Sequence, residues 1–156
     1  PFSGFLYAGM MLTPDGPRVV EFNARFGDPE AQVVLPLLAD DFLALCHAAA
    51  TGRLHELPPP ALRAEAACGV VLAAATYPTS GSKGAPITGL ATVDADVLIF
   101  QAGTQMHDGQ FVTNGGRILT VVGLGNDRAA ARDQAYANIE RISFAGARYR
   151  TDIGAK

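Results

Sequence analysis

Three consecutive prolines, Pro58-Pro59-Pro60, constrain this chain more than any other feature. Each ring fixes φ, removes a backbone N–H and crowds the preceding turn, so no helix can run through the segment. Gly52 stands just upstream, where a helix stop is expected. The chain is therefore expected to divide into a first domain at residues 1–57, a linker at 58–63 and a second domain at 64–156.

The first region opens with two strand-like runs, Phe5 to Leu12 and Arg18 to Asn23, separated by Thr13-Pro14-Asp15-Gly16-Pro17. Pro-Asp-Gly is strong turn chemistry, so the runs are expected to pair as an antiparallel hairpin. Val33, Val34, Leu37 and Leu38 then recur at helical spacing, and Phe42, Leu45 and Cys46 repeat the pattern, which predicts two short helices. In the second region, Ala66 to Thr76, Val97 to Ala102, Gln110 to Thr113 and Ile118 to Leu124 are apolar or β-branched runs punctuated by Gly and Pro. That pattern predicts one small antiparallel sheet. Asp127 is placed to cap a covering helix over residues 128–141, with Ala131, Ala135, Ile139 and Ile142 on one face. The expected fold class is α+β.

Composition narrows the function classes. With 49% hydrophobic residues the chain can build a core without disulfides, and Cys46 and Cys68 read as two reduced thiols. Twelve Lys and Arg against 15 acids, with no basic run, leave nothing to track a phosphate backbone, so nucleic acid is not an expected partner. No apolar run approaches the roughly 20 residues of a membrane helix, and no charged start precedes an apolar core of a leader. No membrane partner is expected, and the expected compartment is the cytoplasm.

The densest chemical signal is Glu21-Phe22-Asn23-Ala24-Arg25-Phe26-Gly27-Asp28-Pro29-Glu30-Ala31-Gln32. Strand alternation puts Glu21 and Asn23 on one face and sends Phe22 toward the core. A carboxylate and an amide oxygen then converge, which suits Mg²⁺, a cation that takes one or two protein oxygens and fills its shell with nucleotide phosphates and water. Arg25, Asp28 and Glu30 crowd a Gly-Asp-Pro turn beyond the strand, where they either meet substrate or fix the turn as an Arg25–Asp28 or Arg25–Glu30 ion pair. In the second region, Asn114-Gly115-Gly116-Arg117 joins two strand runs. Its glycines permit a turn whose N–H groups and Arg117 could face an anion, and Lys83, in a Gly-Ser-Lys-Gly loop, offers another cation.

Arg25 to Gln32 resembles, residue for residue, the Arg-(Leu/Phe)-Gly-Asp-Pro-Glu-x-(Glu/Gln) motif of the phosphoribosylamine-glycine ligases, which are ATP-grasp enzymes of purine biosynthesis. The resemblance continues through Gly4 to Gly9, Gly69 to Ala74 with Tyr77-Pro78, Ala102-Gly103-Thr104, Val112 to Arg117 and Asp152-Ile153-Gly154. It implies the C-terminal portion of an ATP-grasp domain followed by the family's C-terminal domain. It also implies a partner in the missing N-terminal part of the same enzyme, which carries the lysines that clasp the nucleotide. The implied reaction joins glycine to 5-phosphoribosylamine with ATP going to ADP and phosphate, through glycyl phosphate, with Mg²⁺ or Mn²⁺ on Glu21 and Asn23. Arg25 is expected to neutralise transferred charge and Asp28 to hold the glycine ammonium. Asn114, Gly115, Arg117 and Lys83 are expected near the substrate phosphate. A further acidic ligand that many grasp enzymes carry on the preceding strand corresponds here to a position near Ala8, which ligates nothing.

Two alternatives stay open at this point. One is another ATP-grasp carboxylate-amine ligase, although those lack the Arg-Phe-Gly-Asp-Pro-Glu turn; the other is a non-catalytic binding module. Gly123-Leu124-Gly125-Asn126 lacks the third glycine of a dinucleotide loop and reads as a strand-to-helix turn. His47, His55 and His107 have no zinc-site spacing.

Overall fold

The computed structural model describes residues 2–155 and separates them into two compact units, one ending at Arg63 and the other beginning at Ala64. In the first unit, β1 (Tyr7–Thr13) and β2 (Gly16–Asn23) pair antiparallel. Thr13 and Gly16 close the turn: the Thr13 hydroxyl donates to Gly16 O at 2.7 Å, and Gly16 takes φ +101°, which costs a glycine little. Gly9 faces Glu21 but Met10 faces Val19, so Val20 is the extra residue of a β-bulge.

Phe22 corrects the expectation of a core-facing side chain. It is 61% exposed, and Met11, Leu12 and Val20 are exposed with it. A two-stranded ribbon buries a face only when another layer covers it, and the described residues of this unit supply no such layer.

Two short helices follow, as their spacing predicted. α1 (Glu30–Val34) continues into a 3₁₀ turn at Leu35–Leu37, and α2 (Phe42–Ala50) starts where Asp41 Oδ1 accepts the N–H groups of Leu43 and Ala44. α2 stops at Gly52, φ +72°, where the Gly52 N–H reaches Ala49 O and the Arg53 N–H reaches Ala48 O, a Schellman closure. The chain beyond the prolines bonds back to this unit. Ala39 N–H donates to Ala61 O (2.9 Å), Arg63 N–H to Leu37 O (2.7 Å) and Ala61 N–H to an Asp40 carboxylate oxygen (2.6 Å). Residues 61–63, expected within a linker, are thus held along residues 37–40.

The second unit holds β3 (Ala66–Ala73), β4 (Ser82–Pro86), β5 (Leu98–Gln101), β6 (Thr104–His107), β7 (Gln110–Gly115), β8 (Arg117–Gly125) and α3 (Arg128–Ile139). Its strands form two antiparallel three-stranded sheets, ordered β3-β8-β5 and β4-β7-β6, where one sheet was expected. The unforeseen strands are β4 and β6. Ser-Lys-Gly-Ala-Pro and Thr-Gln-Met-His contain little of the β-branched and aromatic content that marks strands, and they pair because β7 lies between them.

Consecutive residues Ile118 to Gly123 of β8 are buried, so this strand is covered on both faces. α3 packs Ala131, Ala135 and Ile139 into one cluster with Val70, Leu72, Ile118 and Val121. Gly123 and Gly125 make that packing possible. A Cβ at Gly123 would collide with Ala131 O, and one at Gly125 would lie 2.6 Å from Ala131 N. Glycine in a strand here marks close backbone approach, so these two residues end the strand beneath the helix. Among the described residues no helix is long and apolar enough to cross a membrane.

Candidate functional site

The end of β2 places Glu21 and Asn23 side by side. Glu21 and Asn23 project from one face, and Asn23 Nδ2 donates to Glu21 Oε1 at 3.0 Å. Across the hairpin their partners are Gly9 and Tyr7. Gly9 leaves room for the carboxylate, since a Cβ there would sit 3.2 Å from Glu21 Cγ. Ala8 pairs with Phe22 and so lies on the other face. Arg25 extends the cluster, donating from Nη1 to Phe26 O (2.7 Å) and from Nη2 toward Asn23 Oδ1 (3.4 Å).

The turn that follows is held by Glu30 and Asp28 through partners the sequence did not single out, Tyr7 and Gln32. The Tyr7 hydroxyl donates to Glu30 Oε1 at 3.0 Å, joining β1 to the first residue of α1. Glu30 thus takes a tyrosine as partner where spacing had offered Arg25. The bond to Glu30, then desolvation, then the charges of Glu30 and Glu21 push the Tyr7 hydroxyl above its ordinary pKa, which keeps the donor proton in place. Asp28 Oδ1 accepts from Gln32 Nε2 at 2.9 Å, and the Asp28–Pro29 peptide is cis. Tyr7, Arg25, Phe26, Glu30 and Val34 line a pocket of about 320 Å³; Asp28 is not among its walls. The only sequence cue for Tyr7 was its place opposite Asn23 in the hairpin register.

The donor set fits a hard divalent cation. Glu21 carries a carboxylate and Asn23 an amide oxygen, neither a soft ligand; the contact between them is made by Asn23 Nδ2, while Asn23 Oδ1 faces Arg25, so an amide rotation would bring both oxygens to one cation. Among the described residues no group of three or more His, Cys, Asp or Glu gathers anywhere.

In the second unit, Lys83 and Asn114 are direct cross-strand partners on β4 and β7, and both are exposed. Lys83 stands on a strand, not on a loop. The glycine turn expected at Gly115-Gly116 is absent. Gly115 ends β7, Arg117 begins β8, and the chain passes from one sheet to the other through Gly116 alone. Neither glycine has positive φ, which an anion-binding nest requires. The glycines serve close packing. A Cβ at Gly103 would lie 2.6 Å from Arg117 O and 2.8 Å from Gly115 Cα, and one at Gly116 would lie 2.7 Å from the Tyr77 ring. Asn114 N–H is already spent on Gly103 O at 2.7 Å. For Asn114 the side chain, not the backbone amide, is what remains for a ligand.

Residues 1–31 match the family description "Phosphoribosylglycinamide synthetase, ATP-grasp (A) domain", and residues 67–156 match "Phosphoribosylglycinamide synthetase, C domain". The class is thus ATP-grasp sequence carrying an oxygen-donor pair at a strand end, followed by an α+β C domain. The chain is 47% identical over 154 residues to phosphoribosylamine–glycine ligase of Caldanaerobacter subterraneus, covering 99% of this chain and 36% of that protein. It is 49% identical over 156 residues to the same-named protein of Caulobacter vibrioides, again covering 99% and 36%. A crystal structure of phosphoribosylamine–glycine ligase from Thermotoga maritima superposes with a TM-score of 0.80 at 39% identity, over 94% of this chain and 36% of that one. The chain belongs to the phosphoribosylglycinamide synthetase family. It spans about a third of the length of these curated relatives.

Proposed function

We propose that this chain works within a longer polypeptide as part of a phosphoribosylamine–glycine ligase acting in the cytoplasm. The reaction joins glycine and 5-phosphoribosylamine to give glycinamide ribonucleotide while ATP becomes ADP and phosphate. The observation that carries this reading is the cluster at the end of β2, where Glu21 accepts from Asn23 Nδ2 and Arg25 reaches toward Asn23 Oδ1, so that a carboxylate, an amide and a cation share one strand end.

Phosphoryl transfer depends on positioning and charge neutralisation more than on a protein nucleophile. Glu21 and Asn23 would hold Mg²⁺ or Mn²⁺, which when bound neutralises nucleotide phosphate charge. Arg25 supports the charge of the moving phosphoryl group or of the glycine carboxylate. A carboxylate oxygen of glycine forms the new O–P bond to the γ-phosphorus as the bond to the ADP oxygen breaks. The phosphoribosylamine nitrogen then attacks the acyl carbon, phosphate leaves, and the nitrogen loses its proton. Asp28, which accepts from Gln32, is assigned the glycine ammonium. In the second unit, Lys83, Asn114 and Arg117 are assigned to the substrate phosphate. Gly115 serves them by shape.

The test is a chimera in which this chain replaces the matched stretch of the Caulobacter vibrioides relative. The expected result is ADP formation that requires both glycine and phosphoribosylamine. The 156 residues alone are expected to give none. A folded chimera with no glycine-dependent ADP formation overturns the reading.

A further inference from the structure

We propose that Tyr7 and Glu30 form a brace that holds the turn from Arg25 to Pro29 against β1, the strand paired with the one bearing Glu21 and Asn23, which makes both of them positioning residues for phosphoryl transfer. The proposal rests on the roles just given to Glu21, Asn23 and Arg25.

Four observations carry it. First, the bond from the Tyr7 hydroxyl to Glu30 Oε1 spans 23 residues and closes the whole hairpin-and-turn segment into a loop. Second, its strand end lies opposite Asn23 in the hairpin register, so the brace is anchored beside a proposed metal ligand. Third, the other Glu30 oxygen lies against the bare Cα of Gly27. A Cβ on Gly27 would collide with Glu30 Oε2 and sit 2.9 Å from Glu30 Cδ, so glycine is what lets the carboxylate fold back beneath the turn. Fourth, α1 cannot fix the turn by itself. It has five residues, its N-cap is Pro29 with no side-chain cap bond, and helices so short are marginal without tertiary support.

The brace acts through Arg25. The guanidinium bonds to Phe26 O within the braced turn and reaches back toward Asn23, so displacement of the turn moves the cation relative to the oxygen pair. A misplacement of about 1 Å at a reacting centre costs on the order of 100-fold in rate. Glu30 is not read as a substrate group, because one oxygen is taken by Tyr7 and the other is packed on Gly27.

The experiment compares Tyr7→Phe, Glu30→Ala and Glu30→Gln in the chimera. Tyr7→Phe and Glu30→Ala are expected to lower kcat by roughly 10- to 100-fold, with the KM for ATP and the thermal midpoint unchanged. Glu30→Gln, whose amide oxygen accepts the same hydroxyl, is expected to restore most of the rate. The double variant should be no slower than either single one, the mark of one shared interaction. Wild-type kcat in Tyr7→Phe overturns the brace, and so does a Glu30→Gln as slow as Glu30→Ala, since charge and not the bond would then matter. An inactive wild-type chimera counts against the ligase reading. In that case amide exchange on this chain decides the brace separately: Tyr7→Phe must speed exchange across residues 27–31 by about fivefold or more, one hydrogen bond's worth, and unchanged exchange refutes it.

Discussion

Asn138 ties α3 to the loop before β5, and its truncation has a calculable cost. The side chain is fully buried at 0% exposure. Its Oδ1 accepts the Asp94 N–H at 2.9 Å, and its Nδ2 donates to Asp94 Oδ2 at 3.1 Å and to Gln134 O at 3.0 Å. Asn138→Ala removes three bonds worth about 1 kcal/mol each. Alanine's better helix propensity returns about 0.5 kcal/mol. The net loss is about 2.5 kcal/mol, which in a unit of this size lowers the midpoint by roughly 10–20 °C. Asn138→Asp should cost more, because an oxygen replaces the amide donor facing the Asp94 carboxylate. The chain has no Trp, so thermal unfolding is followed by circular dichroism, with amide exchange on β8 reporting the second unit specifically. A midpoint for Asn138→Ala within about 3 °C of wild type would refute the claim that this network holds the helix to the loop.

Two further outcomes follow from the same unit. Gly123→Ala should destabilise it by about 1–3 kcal/mol through overpacking, since the added methyl meets Ala131 O, while Gly109→Ala, with nothing near its Cβ, should lose only what a positive φ costs; equal midpoints for wild type and Gly123→Ala would show that α3 does not press on β8. Asp94 is held below the ordinary carboxylate pKa, first by the Arg141 hydrogen bond and then by Asn138. A folded-state pKa below the unfolded value means a contribution present above about pH 3.9 and lost as pH falls through the folded value. Asp94→Asn should therefore flatten the acid limb of stability below about pH 4, and an unchanged limb would count against the Arg141 pair.

The hairpin, the two helices after it and α3 were legible because each rests on local chemistry: Pro-Asp-Gly, 3.6-residue spacing, Asp127 as a cap. That Glu21 and Asn23 share a face was legible for the same reason, since alternation along a strand is a two-residue rule. What stayed hidden depends on distant neighbours. β4 and β6 are strands because β7 pairs with both, and only Asp108-Gly109, with φ of 46° and 78°, signalled the β6–β7 turn. The sheet change at Gly116 left no local mark, so Gly115 and Gly116 read as a turn when they admit Gly103 and Tyr77. Tyr7 escaped notice because its partner Glu30 is 23 residues away. Phe22 alternated as expected, but burial needs a covering layer that alternation does not provide.

The most direct measurement is Mn²⁺ titration of the chimera by electron paramagnetic resonance, with a non-hydrolysable ATP analogue bound. Glu21→Gln and Asn23→Ala should each raise the apparent Kd for Mn²⁺ by about tenfold or more. Glu65→Gln, an exposed carboxylate outside the first unit, should leave it unchanged. Wild-type Mn²⁺ affinity in both Glu21→Gln and Asn23→Ala would contradict the assignment of this strand end as the metal-nucleotide site.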